Sequence, residues 1–151
     1  RVGMKISTKG RYATRAMLDL ALNSASGPIS LKDIALRQEI SEGYLENLMS
    51  SLLAQGLVRS IRGKHGGFLL AKAPEEIRLD EVICTMEGSL APVPCVDDPG
   101  RCNRSDSCVT LDIWGMLKRS MIDVLSSVTL HDMVEMHERK ASHEEQLMYY
   151  I

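Results

Sequence analysis

Ser30-Leu-Lys-Asp-Ile-Ala-Leu-Arg-Gln-Glu-Ile40 and Ser41-Glu-Gly-Tyr-Leu-Glu-Asn-Leu-Met-Ser50, continued by Ser51-Leu-Leu-Ala-Gln-Gly56, set the architecture of this 151-residue chain. Each stretch opens on a serine whose hydroxyl can accept from a backbone N–H of the first turn, and each then repeats apolar residues at helical spacing. The buried face of the first is Leu31, Ile34 and Ala35; that of the second is Leu45, Leu48, Met49, Leu52 and Leu53. Glu39 and Ile40 form the turn between them, and Gly56 ends the second helix. Two short helices joined so tightly predict a helix-turn-helix, whose second helix can enter a major groove about 12 Å wide. Glu42, Gly43, Tyr44, Glu46 and Asn47 are left facing outward at its start.

Upstream, Arg1-Val2-Gly3 precede Met4 and read as a remnant or an upstream start. From Lys9 to Asn23 the apolar positions Ala13, Ala16, Met17, Leu20 and Ala21 predict an amphipathic helix that Gly27-Pro28 stops. Downstream, Leu57–Ile61 and Phe68–Leu70 are strand-like runs flanking Arg62-Gly-Lys-His-Gly-Gly67. This is a hairpin with a basic tip, whose glycines permit positive φ and close backbone approach, and whose Arg62 and Lys64 can reach phosphates or a narrow minor groove. A helix-turn-helix followed by such a tip is a winged helix.

Leu79–Glu87 reads as a further short helix, and Gly88–Asp106 as a long loop rich in Pro, Gly and Asp. From Asp112 the chain turns helical again, with Trp114, Leu117, Met121, Val124 and Val128 on one seam. So narrow a seam suits one partner helix, and predicts a homodimer contact. Thr129 opens a short last helix to about His137, and Ser142–Ile151 reads as a loose tail. The expected architecture is mainly α: a winged helix-turn-helix domain at residues 4–87, a cysteine-rich loop at 88–110, a long dimerisation helix with a short final helix at 111–138, and a loosely ordered tail at 139–151.

A net charge of −2 conceals an asymmetry: residues 1–72 hold 11 Lys and Arg against 5 Asp and Glu, whereas residues 73–151 hold 7 against 15. The basic part invites a polyanion, because neutralising phosphates releases condensed counterions. No window approaches the roughly 18 apolar residues of a bilayer span, and no export signal is visible, so a cytoplasmic protein with no membrane partner is expected.

Cys95, Cys102 and Cys108 lie within fourteen positions, while Cys84 stands apart in an apolar helical context and reads as a small buried hydrophobe. The cytosol keeps thiols reduced, so the cluster favours metal over disulfide. Cys95-x6-Cys102-x5-Cys108 lacks the paired knuckles of a typical structural zinc site and the runs of ferredoxins. By spacing alone an iron–sulfur cluster, zinc and a thiol switch all stay open. His65, His137 and His143 read as solvated.

Met4-Lys-Ile-Ser-Thr-Lys-Gly-Arg-Tyr-Ala13, Ile40-Ser-Glu-Gly-Tyr-Leu-Glu-Asn-Leu48, Arg62-Gly-Lys-His-Gly-Gly-Phe68 and the three-cysteine loop together resemble the iron–sulfur cluster regulators of the Rrf-two winged-helix family, in order over about residues 4–137. The resemblance implies a homodimeric bacterial transcription factor that binds double-stranded promoter DNA. It also implies a two-iron, two-sulfur cluster held by Cys95, Cys102 and Cys108, supplied by cluster-assembly proteins, through which cluster-biogenesis genes are controlled. In such regulators a histidine three residues after the last cysteine completes the ligand set; here that residue is Leu111, and the first cysteine gap is one residue longer. Asp106, Asp112, His131, a partner residue or an exogenous ligand are left as the fourth ligand.

The resemblance assigns base reading to Glu46 and Asn47, with Arg62 at the wing. The chemistry agrees: Asn pairs bidentately with adenine, Glu accepts from cytosine N4, and Arg inserts into the minor groove. A carboxylate among phosphates rejects sequences that offer it no donor, so Glu46 is expected to filter. Lys9, Arg11 and Lys64 are placed for phosphates. No Ser, His or Asp set has catalytic spacing, so an enzyme is not expected. The remaining readings are a nitric-oxide or redox sensor, a cluster-free regulator of cysteine metabolism, or a small electron carrier.

Overall fold

The computed structural model describes residues 4–150, so the reading of Arg1–Gly3 as a remnant, and Ile151 of the expected tail, lie outside the described residues. In chain order the helices are α1 Thr8–Leu22, α2 Leu31–Gln38, α3 Glu42–Ala54, α4 Leu79–Glu87, α5 Val109–Ser126 and α6 Leu130–Tyr149; strands β1 Val58–Ile61 and β2 Gly67–Leu70 lie between α3 and α4. The caps read from the sequence form. Ser30 Oγ accepts from Asp33 N–H at 3.1 Å and Ser41 Oγ from Tyr44 N–H at 3.3 Å. Glu39 takes the left-handed conformation, φ 54°, which stops α2 and turns the chain into α3 while Ile40 N–H bonds Ala35 C=O at 3.0 Å.

α1 is the hub. Its alanines Ala13, Ala16 and Ala21 bring neighbouring helices close, and with Met17 and Leu20 they pack against Ile34, Leu45, Leu48, Met49 and Leu52. Leu53, expected on the same face, is half exposed: it lies at the margin of the stripe, while Leu52 beside it is fully in the core. β1 and β2 pair antiparallel with Val58 opposite Leu70 and Ile61 opposite Gly67. Ile29 exchanges two backbone hydrogen bonds with Phe68, at 3.0 and 2.8 Å, which ties the wing to the segment before α2. Gly67, φ 149°, is obligatory there, because a Cβ would collide with the Ile29 backbone.

The C-terminal third departs from expectation. α6 continues to Tyr149 rather than ending near His137, so most of the expected tail is helix. Nothing between Leu130 and Tyr149 breaks a helix: the run lacks Gly and Pro and holds four Glu, three Met and two Leu, all good helix formers. Its start is also anchored. Leu130 is fully buried in the α1–α3 core with Met133 and Val134 against it. Leu130 N–H bonds Ile77 C=O at 2.9 Å, and Leu79 N–H bonds Val128 C=O at 2.8 Å. The first unit therefore does not close at residue 87; its core is completed by α6.

α5 also differs in detail. Of the expected seam only Val124 is largely exposed, and Trp114, Leu117, Met121 and Val128 are half buried within the chain. The exposed apolar stripe, Val109, Ile113, Met116 and Val124, lies one step round the helix. No helix among the described residues is long and apolar enough to cross a membrane.

Candidate nucleic-acid interface and cysteine segment

The start of α3 presents Glu42, Gly43, Glu46 and Asn47 to solvent. Tyr44 is half buried, its ring packed edge-on against Tyr12 of α1 with centroids 6.0 Å apart. That contact ends a chain of polar links that sequence reading missed. The Arg15 guanidinium lies 5.1 Å over the Tyr12 ring, and its Nε and Nη2 donate to the Gln38 side-chain oxygen (3.1 Å) and backbone carbonyl (2.6 Å). Gln38 Nε2 donates to Asp19 at 2.8 Å, while Arg37 grips Asp19 with Nε at 2.9 Å and Nη2 at 2.7 Å. Asp19 is 2% exposed, and both of its carboxylate oxygens accept from these donors. The network bolts α1 to the end of α2 and, through the edge-on Tyr12–Tyr44 pair, links it to the first turn of α3. The only signal in the sequence was a carboxylate flanking the apolar stripe of α1, where Asp is rarely buried without a partner.

Lys9 and Arg11 at the start of α1, and Arg62 and Lys64 at the wing tip, are exposed. Among the described residues none of the four has a carboxylate within ion-pair distance, whereas Arg37, Lys72, Arg78, Arg101 and Lys118 are each paired. Exposed cations free of carboxylate partners are what a phosphate backbone requires. The expected interface residues thus lie on α3, the wing and the start of α1, except that Tyr44, expected to face outward, is half buried against Tyr12 and the core.

The cysteines are arranged differently. The segment between α4 and α5 folds as three 3-10 turns, Pro94–Val96, Pro99–Arg101 and Ser105–Ser107. Cys95 and Cys108 are half buried and Cys102 exposed; all are free thiols. Among the described residues no three His, Cys, Asp or Glu side chains gather closely enough to hold a metal ion. Cys108 is the residue from which α5 starts. Its thiol is held below the ordinary range, first by the Thr110 hydroxyl at 3.1 Å and then by the Leu111 N–H, against the nearby Asp112 carboxylate. Asp97 anchors the segment: Lys118 Nζ of α5 donates to it at 2.6 Å and Ser89 Oγ also bonds it, and both hold its carboxyl below the ordinary range. Of the fourth-ligand candidates, His131 lies between Glu75 at 3.3 Å and Glu135 at 3.2 Å, and Asp106 and Asp112 are exposed on either side of Cys108 in the chain. Cys84 is not the buried hydrophobe expected. It is half buried beside a surface hollow with Gln55, Leu57, Glu81, Thr85 and Gly88, and partial burial raises its thiol. His65, His137 and His143 are exposed, as expected.

A capped two-helix turn on an α1 hub, a two-stranded basic wing and unpaired cations at the wing tip and the start of α1 define a winged-helix DNA-binding regulator of transcription. The family profile described as iron-dependent transcriptional regulator, Rrf2, matches residues 6–136, and the chain belongs to that family. It is 42% identical over 149 residues to the HTH-type transcriptional regulator IscR of Enterobacter sp. (strain 638), covering 95% of this chain and 91% of that protein. It is 44% identical over 135 residues to IscR of Cronobacter sakazakii, covering 89% and 83%. Among solved structures, T. potens IscR superposes with TM-score 0.76 at 41% identity over 90% of each chain. CymR, the global cysteine regulator of B. subtilis, superposes with TM-score 0.72 at 39% identity over 87% of this chain and 96% of its own.

Proposed function

We propose that this chain is a cytoplasmic, homodimeric regulator that binds promoter DNA and senses an iron–sulfur cluster, of the two-iron, two-sulfur type, through Cys95, Cys102 and Cys108, and thereby controls cluster-biogenesis genes. The observation that carries this reading is the placement of three thiols on one segment that starts where the winged helix's α4 ends and finishes at the first residue before α5. As a donor set they fit: three soft ligands, one with its thiolate favoured, on a segment tethered to α5 by Asp97. They are not gathered, so binding is coupled to rearrangement of the segment. When bound, a cluster supplies a group that responds to iron supply, oxygen and nitric oxide. The protein's own part is to answer through structure. α3 and Arg62 read bases, while Lys9, Arg11 and Lys64 hold phosphates. The apolar stripe of α5 pairs two copies so that their recognition helices meet half-sites about 34 Å apart. Cluster-assembly proteins are the proposed donors.

The test is oxygen-free purification followed by iron and sulfide counting, with promoter-fragment binding measured before and after cluster loading. Equal iron and sulfide near two per chain, lost in Cys102→Ala while the dimer stays folded, supports the reading. A chain that takes up neither, or whose promoter preference ignores uptake, overturns it. One second reading has its own observations: Leu111 in place of the fourth ligand, ungathered thiols and likeness to CymR favour a cluster-free regulator of cysteine metabolism. That regulator purifies colourless even when iron and sulfide are abundant.

A further inference from the structure

The first turn of α1, Thr8-Lys9-Gly10-Arg11, carries two cations and no acid at the end of the helix where the macrodipole is positive. Each such cation opposes the dipole, so this end is electrostatically unfavourable for the helix alone and suited to an anion. The carboxylate that reaches it comes from eighty residues away. Glu87, the last residue of α4, accepts from Ser7 N–H at 2.7 Å. The approach depends on Gly10, which is buried in the α1–α4 contact: a Cβ there would stand 2.7 Å from Glu87 Oε1 and 3.0 Å from Ile6 Cγ2. Gly88, φ 72°, follows at once, its N–H bonding Cys84 C=O at 2.9 Å, and the chain leaves into the cysteine segment.

We propose that Glu87 is the positioning residue of the DNA interface: by holding the Ser7 N–H against the glycine notch at Gly10, it fixes the pose in which Lys9 and Arg11 meet phosphates. This rests on the reading that the start of α1 faces DNA, and it goes beyond it in naming the group that aims that surface. The function of Glu87 is geometric. A carboxylate acting only through its charge near phosphates would weaken binding, and removing it would tighten the complex. A positioning acceptor does the reverse when lost.

The experiment measures affinity of the full chain for a promoter fragment across a salt series, for the native protein, Glu87→Gln, Glu87→Ala and Gly10→Ala. Glu87→Gln keeps an oxygen acceptor and is expected to bind within about twofold of native. Glu87→Ala is expected to bind about tenfold more weakly at about 0.2 M salt, and the slope of log affinity against log salt is expected to fall by about 1 to 2, the loss of two phosphate contacts at about 0.9 each. Gly10→Ala, whose Cβ displaces the carboxylate end while raising helix propensity, should weaken binding and lower the slope in the same direction, and the double variant Gly10→Ala/Glu87→Ala should be no worse than Glu87→Ala. A general folding role would lower the melting temperature without moving the salt slope. An unchanged slope, equal tightening by Gln and Ala, or additive losses in the double variant overturns the proposal. A native chain that shifts no DNA at low salt instead overturns the interface reading on which it stands.

Discussion

Substituting Asp19→Asn removes half of the acceptor capacity at the most buried charged group among the described residues. The carboxylate receives three donors, two from Arg37 and one from Gln38, at 2.7–2.9 Å. An amide in its place keeps one oxygen for Arg37 and turns an NH2 toward a remaining donor. Breaking one side of a buried ion pair costs roughly 3–5 kcal/mol. Here the Arg37 side chain is 42% exposed and rehydrates, so the loss should be nearer about 2–3 kcal/mol. For a chain of this size that lowers the melting temperature by about 4–12 °C. The damage should also travel. Where the new NH2 faces Gln38, Gln38 must flip its own amide, which withdraws the side-chain oxygen that accepts from Arg15 Nε and leaves the Gln38 backbone carbonyl alone to hold the guanidinium over Tyr12. Promoter affinity should therefore fall in protein that is still folded, through Tyr44. Thermal and urea denaturation, with promoter binding at a temperature where both proteins are folded, reads both effects, and Asp123→Asn on exposed α5 serves as the control. The apolar pair Asp19→Leu with Arg37→Met should restore much of the stability but not the affinity. If Asp19→Asn melts within about a degree of the native protein, a shift far below the one expected from the ion pair, the network does not hold the helix-turn-helix together.

Other outcomes are expected as directly. Leu130→Ala should cost about 2–5 kcal/mol, because the side chain is fully buried in the α1–α3 core, and a chain cut after Glu87 should be measurably less stable than the whole; equal stability would show that α6 is not part of the first unit. Alkylation followed against pH should show Cys108 reacting at lower pH than Cys84, since the Thr110 hydroxyl favours the Cys108 thiolate and burial disfavours that of Cys84; the reverse order would refute the assignment. Asp97 is held below the ordinary carboxylate value by Lys118 and Ser89, so its tether is intact above about pH 4 and is lost as pH falls through the lower, folded value. The Ser89 and Asp97 amide resonances should report a midpoint below about 4, and Asp97→Asn should abolish the step; a midpoint at or above that value would contradict the pairing. Glu46→Ala should leave the best operator within a few-fold of native while improving binding to rejected sites by about 1–3 kcal/mol per relieved base pair, read in a competition against variant operators.

The winged helix was legible from the residues alone. Serine caps, the turn at Glu39 and the 3.6-residue recurrence of Leu and Ile act within one or two turns, so their consequences are local; β1, β2 and α4 follow for the same reason. The surface positions of Glu46, Asn47, Arg62 and Lys64 were equally legible, because the faces left by the apolar stripes are fixed once the helices are. Three other features arise only where elements meet in space. Asp19 joins Arg37 and Gln38 through the crossing of α1 and α2, and no spacing rule encodes a bond between residues eighteen positions apart on different helices. Glu87 reaches Ser7 because Gly10 leaves room for it, a fact about two packed helices rather than about either motif. The length of α6 and its return to the first core were hidden because the chain after His137 has no apolar face to announce a helix, whereas the buried Leu130 anchors its start from a distance. The cysteines show the same limit from the other side: spacing placed them on one segment, and only the folded chain reveals that the segment does not gather them unaided.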